Sequence, residues 1–268
     1  MTKKKLIRSR DGTEIYYEVY GEHSAGKPVL FFVHGVGGDL DAWQYVKNFL
    51  LAKKYSAVAM DIRGHGHSGH PRKPEAYKLE RFVEDVIEVF DAEQLDKVIL
   101  IGHSLGAVLT THITLAHQKR VEKLILIAGS YLPPSYFKIP GSFALTDFLA
   151  LISPPPVRAG HSIYPSQKHH KDIEIFGLMR TIARNSVMSY ILSSREILKN
   201  DLTTELTKIE VPTLIISGSK DSVFPTNISE LMHSQIKNSQ LKIIKEANHV
   251  VVLNNAEETA ELIGEFLI

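Results

Sequence analysis

The chain has 268 residues, 44% hydrophobic and 23% charged, an ordinary globular composition with enough material to bury a core without covalent staples. Its 31 Lys and Arg against 30 Asp and Glu leave a net charge of +1, so no basic surplus exists to grip a phosphate backbone, and nucleic acid is excluded as the main partner. The absence of cysteine removes disulfides, thiolate metal sites, iron–sulfur clusters and a thiol nucleophile together, whereas the 13 histidines are unusually many.

Met1 to Lys5 is basic, but Leu6-Ile7 is followed at once by Arg8, Arg10 and Asp11, so no apolar leader is expected, and Lys3-Lys4-Lys5 reads as a solvated tail. The longest apolar runs are about five residues, against roughly twenty for a membrane span, and a cytoplasmic protein without a span is expected. Strands are expected at Leu6 to Arg8 and Glu14 to Tyr20, turned by Asp11-Gly12, and at Val29 to Val33. The last of these is apolar throughout rather than alternating, which marks a strand buried on both faces, as in a parallel sheet.

Strands and helices then alternate. Trp43, Val46, Phe49 and Leu50 mark a helix capped by Asp39 or Asp41, and Ala57 to Met60 a short strand. Leu79 to Phe90 fits the helical period, Val98 to Ile101 is a strand, Leu105 to His117 a helix and Leu124 to Ala128 a strand. This alternation specifies an α/β fold with a mostly parallel sheet between layers of helices.

After Gly129 the next clear strand is Thr213 to Ser217, a gap of more than eighty residues where about a dozen suffice for a crossover. Pro133-Pro134 and Pro154-Pro155-Pro156 punctuate apolar helical stretches at Phe143 to Ile152, Ile173 to Ile182 and Val187 to Leu198. The expected organisation is one core, residues 1–132 and 200–268, interrupted by a helical cap at 133–199. A helix at Ile228 to Ile236 with Leu231 and Met232 inward, a strand at Leu241 to Ile244 and a helix at Glu257 to Leu267 complete the core.

Gly102-His103-Ser104-Leu105-Gly106 is a G-x-S-x-G between a buried strand and a helix start, the context that gives the motif meaning. Glycines on either side allow a sharp turn that lifts the Ser104 hydroxyl off the sheet at a helix N-terminus. A serine needs a base to become nucleophilic near neutral pH, and the base needs an orienting acid. Asp221 follows the strand at Thr213 to Ser217 and His249 follows Leu241 to Ile244, in the order expected after such an elbow. Both fall at the carboxyl edge of the sheet, where ligands gather in open α/β folds. The backbone amides of Leu105 and Val36, the latter in His34-Gly35-Val36-Gly37-Gly38, are candidates for an oxyanion hole, with Gly35 as the alternative to Val36.

With these elements in view, the chain resembles the α/β-hydrolase fold superfamily over nearly its whole length. The matching segments are residues 34–38, Asp61 to Ser68 (similar to the D-x-R-G-x-G-x-S loop of capped, esterase-like members), 102–106, Gly218 to Asp221 and Asn248-His249. The resemblance implies an eight-stranded, mostly parallel sheet, a cap after the sixth strand, a Ser104–His249–Asp221 triad and no cofactor. Epoxide hydrolases and dehalogenases of the superfamily carry an aspartate at the elbow, and Ser104 argues against both. Asn254-Asn255 departs from the proline that relatives often have before the last helix.

Gly64 to Gly69 also fits G-x-G-x-x-G, but Pro71 and Pro74 follow where a dinucleotide site requires a helix to open. His65, His67 and His70 lack the nearby carboxylate of a metallohydrolase, so no metal is assigned. The expected function is hydrolysis of a small-molecule acyl substrate, a small carboxylic ester or similar compound. His34, Phe143, Phe148, Leu149, Phe176, Met179, Met188 and Val250 are candidate pocket residues; the apolar cap residues among them fit ordinary cap core equally. Two further expectations stand beside it: a ligand sensor on the same fold, since the superfamily includes receptors with intact triads, and a carbon–carbon bond hydrolase or thioesterase using the same residues.

Overall fold

The computed structural model describes residues 2–23, 28–133, 148, 152–153 and 186–268. Eight strands form one sheet: β1 (Thr2–Arg8), β2 (Glu14–Tyr20), β3 (Val29–Val33), β4 (Ala57–Met60), β5 (Val98–His103), β6 (Val121–Ile127), β7 (Thr213–Gly218) and β8 (Ser239–Ile244). Their order is β1-β2-β4-β3-β5-β6-β7-β8, with β2 antiparallel to both neighbours and every pair from β4 to β8 parallel.

The described helices are α1 (Gln44–Ala52), α2 (Leu79–Ala92), α3 (Leu105–His117), α4 (Val187–Lys199), α5 (Thr226–Gln235), α6 (Val251–Asn254) and α7 (Ala256–Leu267). The period-two geometry of a strand sorts its side chains between two cores. Val29, Phe31, Val33, Val98 and Leu100 pack with residues of α2, α3 and α5 on one face. Leu30, Phe32, Ile99 and Ile101 pack with α1, α6 and α7 on the other. That double burial is why β3 is apolar at every position.

Two expectations are corrected. Lys3, Lys4 and Lys5 are not a tail but part of edge strand β1, where charged side chains deter pairing with another chain, and Lys5 Nζ reaches Glu93 at 2.7 Å. In α5, Met232 is 1% exposed but Leu231 is 44% exposed, because helical neighbours are about 100° apart and only one faces the core squarely. The first helix begins as a single 3-10 turn at Leu40–Trp43, capped by Asp39 accepting from the Asp41 amide, before α1 proper. α4, which lies between β6 and β7 in the chain, agrees with the expected Val187 to Leu198 stretch. Among the described residues no helix is long and apolar enough to cross a membrane.

Candidate active site

The carboxyl ends of β3, β4, β5, β7 and β8 meet along one edge, and the chemistry-bearing loops leave from it. Between β5 and α3 the backbone turns at Ser104, with φ 53° and ψ −117°, a conformation a serine holds only where its surroundings impose it. Two glycines allow the close approach. A Cβ on Gly102 would lie 2.3 Å from the Gly106 carbonyl oxygen, and one on Gly106 would lie 2.1 Å from that of Val33. The Ser104 amide is tethered to the Ile127 carbonyl at 3.0 Å, fixing the turn to β6.

Ser104 Oγ lies 3.0 Å from His249 Nε2, and His249 Nδ1 lies 2.9 Å from Asp221 Oδ2. Asp221 is acceptor-only when ionised, so Nδ1 carries the proton and Nε2 of the neutral ring is free to accept from the serine. The other Asp221 oxygen accepts from the amides of Val223 and Phe224, each at 2.8 Å, which holds the carboxylate in place. The Asp221 side chain is buried, while that of His249 keeps 12% of its surface exposed. Phe224 packs edge-on against the imidazole at 5.5 Å.

The turn after β3 lies against the elbow: a Cβ on Gly35 would come within 3.0 Å of the Ser104 Cβ. The amides of Val36 and Leu105 have no acceptor among the described residues. The turn is held from behind by a neutral histidine. His65 Nε2 accepts from the Gly37 amide at 3.0 Å and its Nδ1–H donates to the Arg63 carbonyl at 3.0 Å. Complete burial, reinforced by His34 nearby, keeps the His65 pKa well below the usual value.

His34 was expected to line a pocket; it is fully buried instead, and this is corrected. Its Nδ1–H donates to the Gly35 carbonyl (2.8 Å) and its Nε2 accepts from the Ile62 amide (3.1 Å), so both ring nitrogens are engaged by backbone. Phe148 is also corrected: at 58% exposure it faces solvent, because apolar character alone does not set which way a side chain turns. Met188 packs partly buried against the core cluster that contains Leu105, and Val250 is half-buried beside His249. Phe143, Leu149, Phe176 and Met179 lie outside the described residues.

The loop after β4 underlies this assembly. The Asp61 carboxylate accepts from the amides of Leu40 and His67 at 2.8 Å each, and Ser68 Oγ donates to the Asp61 carbonyl at 2.6 Å. Arg63 is fully buried, paired two-pronged with Asp85 at 2.6 and 2.7 Å and singly with Asp11 at 2.7 Å. Among the described residues, no three His, Asp or Glu side chains converge in a way that holds a metal ion.

Two residues to which the sequence assigns no role in the site, His103 and Asn254, adjoin the candidate base. His103 Nε2 lies 2.9 Å from the His249 carbonyl oxygen, and Asn254 Nδ2 donates to Asn248 Oδ1 at 2.9 Å, next to the candidate base. The only signal available was position: one precedes Ser104, the other stands where relatives often have proline.

A mostly parallel eight-stranded sheet with a serine on a strained strand-to-helix turn defines an α/β hydrolase, and the chain is a member of that superfamily. Within it, residues 24–256 match the family model for serine aminopeptidase, S33, and the chain belongs to this family. Human protein ABHD8 is 30% identical over 254 residues, 90% of this chain and 55% of that protein, so the chain spans about half the length of this relative. A putative esterase/lipase of Haemophilus influenzae is 30% identical over 243 residues, 90% of this chain and 83% of that protein. Among solved structures, the esterase EaEST from Exiguobacterium antarcticum matches with a TM-score of 0.75 at 25% identity, covering 99% of this chain and all 100% of that one. The enol-lactonase from Burkholderia xenovorans LB400 shares the fold, with a TM-score of 0.76 at 22% identity over 98% of this chain and 99% of its own.

Proposed function

We propose that the protein is a serine hydrolase that cleaves a small carboxylic ester, or a related acyl compound, through an acyl-enzyme on Ser104. The observation that carries this reading is the continuous hydrogen-bonded line from Ser104 Oγ through His249 to Asp221, at 3.0 and 2.9 Å. The esterase names of the Haemophilus and Exiguobacterium relatives support the ester among acyl substrates.

In this mechanism Ser104 Oγ attacks the substrate carbonyl carbon while its proton passes to His249 Nε2. The carbonyl oxygen becomes an oxyanion held by the amides of Val36 and Leu105. Collapse of the tetrahedral intermediate breaks the bond to the leaving alkoxide, which takes the proton from His249. Water then gives a proton to His249 and attacks the acyl carbon; Ser104 departs and recovers that proton. Asp221 keeps the imidazole in the required tautomer and stabilises its cation. Met188 and Val250 are the described members of the proposed acyl-binding surface, with Phe143, Leu149, Phe176 and Met179 of the cap as the others.

A fluorophosphonate probe tests the reading. The wild-type chain is expected to form one adduct on Ser104, and Ser104→Ala none. Absence of the wild-type adduct, or equal labelling of the variant, overturns it. A panel of short-chain, long-chain, thioester and lactone substrates then assigns the leaving group. One acylation event without turnover on any of them would favour a ligand sensor.

A further inference from the structure

We propose that His103, the residue before Ser104, is a positioning residue that holds the His249 loop at working distance from the serine through a hydrogen bond from its imidazole to the His249 main chain. The proposal rests on the serine-hydrolase reading above.

The two residues are 146 positions apart, and their strands, β5 and β8, are separated in the sheet by β6 and β7. No ladder hydrogen bonds therefore join the elbow to the His249 loop. The His103 side chain spans that gap, with Nε2 2.9 Å from the His249 carbonyl oxygen. A carbonyl only accepts, so Nε2 carries the proton and the tautomer of His103 is set.

The geometry explains why the bond matters. Asp221 restrains the His249 ring at Nδ1, but a ring held at one atom still moves with its own Cα. Anchoring the carbonyl fixes that Cα and hence where Nε2 falls relative to Ser104 Oγ. The His103 ring also packs 5.3 Å from the His249 ring, and Trp43 stands edge-on to it at 6.5 Å. This enclosure has a second consequence. Burial first, and then the neighbouring His249, depress the His103 pKa to about 3, so it stays neutral at working pH. A second cation beside His249 would oppose the imidazolium that the proposed reaction forms.

A simple space-filling role is the competing account, and Gln against Met separates the two. Both fill a volume near that of His, but only Gln places an N–H donor near the position of Nε2. The rate of fluorophosphonate labelling at Ser104 is measured on the full chain for wild type, His103→Gln and His103→Met, with melting temperatures alongside. A displacement of about 1 Å in reacting geometry costs on the order of 100-fold, which is the slowing expected for Met; Gln is expected to stay within about tenfold of wild type. Equal rates for Gln and Met overturn the proposal, whatever their melting temperatures.

Nitrogen-15 NMR of the wild-type imidazoles supplies a test that needs no folded variant. His103 is expected as the Nε2–H tautomer, neutral down to pH 4, and an Nδ1–H tautomer overturns the hydrogen bond directly. Lack of any Ser104-dependent labelling in wild type counts against the serine-hydrolase reading itself, and the NMR result then decides the His103 contact alone.

Discussion

Two loops leave neighbouring parts of the same sheet edge with nearly the same ingredients. The loop after β4, Asp61 to Gly69, and the elbow after β5, Gly102 to Gly106, are both built of glycine, histidine and serine. Their hydroxyls have opposite surroundings. Ser68 Oγ donates to the Asp61 carbonyl and accepts from the Tyr16 amide at 2.9 Å, so it is closed on both sides by backbone. Ser104 Oγ meets a titratable nitrogen that is itself partly exposed and aligned by a carboxylate. Composition does not separate a loop whose serine is closed off by backbone from one whose serine faces an imidazole; the identity of the serine's partner does.

That contrast predicts a double dissociation. Ser104→Ala should lower turnover by at least about 10⁴-fold while leaving the melting temperature within about 3 °C, since it removes one oxygen with no buried charge behind it. Arg63→Ala should do the reverse. It strands the buried Asp85 carboxylate, at a cost of about 3–5 kcal/mol, or roughly 10 °C in a chain of this size. Fluorophosphonate labelling of the folded fraction should remain within about threefold of wild type. Thermal melts and labelling on both variants check this, and a large stability loss in Ser104→Ala would erase the distinction between the loops.

The same contrast explains what was legible in the sequence. The elbow could be read because its function needs glycines at fixed positions around a serine, and backbone geometry is local. The strands could be read because burial on both faces leaves runs such as Val29 to Val33 without polar interruption. Partnership between distant loops could not. His34 has the same composition signal whether it faces a ligand or staples the Ile62 amide, and only the packed sheet decides. Leu231 and Lys3 to Lys5 were misread for a related reason: local character does not say what lies opposite in space. Part of the histidine excess now has an account, since three of the 13, His34, His65 and His103, each tie loops together by backbone hydrogen bonds.

Those neutral histidines make stability depend on pH with a definite sign. His103 titrates near 3 and His65 well below its ordinary value because both are buried, against about 6.5 in the unfolded chain. Between those limits the unfolded state binds more protons, so stability is full above about pH 6.5 and declines as pH falls, by at most about 1.4 kcal/mol per unit for each histidine. Asp11 enters lower. Partial burial would raise its carboxyl, but hydrogen bonds from Arg63 and Thr13 bring it to about 2, so its contribution is lost only below about pH 4. Urea midpoints measured from pH 7 to 4 should fall, and His65→Gln should make the slope shallower. Midpoints that rise on acidification would contradict neutral, buried staples.

The smallest effect is expected where the chain departs from its relatives. A proline before the last helix restrains the backbone after the candidate base by fixing φ. Here Asn254 does related work with its side chain: its Nδ2 donates to Asn248 Oδ1 at 2.9 Å, and the same oxygen accepts from the Val250 amide at 3.1 Å. These two bonds bracket His249 from either side. Asn254→Ala removes one of them and should cost about 1 kcal/mol of stability, the usual net worth of a partly buried hydrogen bond. Because the Asn248–Val250 bond and the His103 contact persist, labelling of Ser104 should slow only a few-fold, far less than for His103→Met. Comparing the two variants in one labelling series ranks the supports of His249, and a larger loss in Asn254→Ala than in His103→Met would place its principal anchor on the helix side of the loop rather than at the elbow.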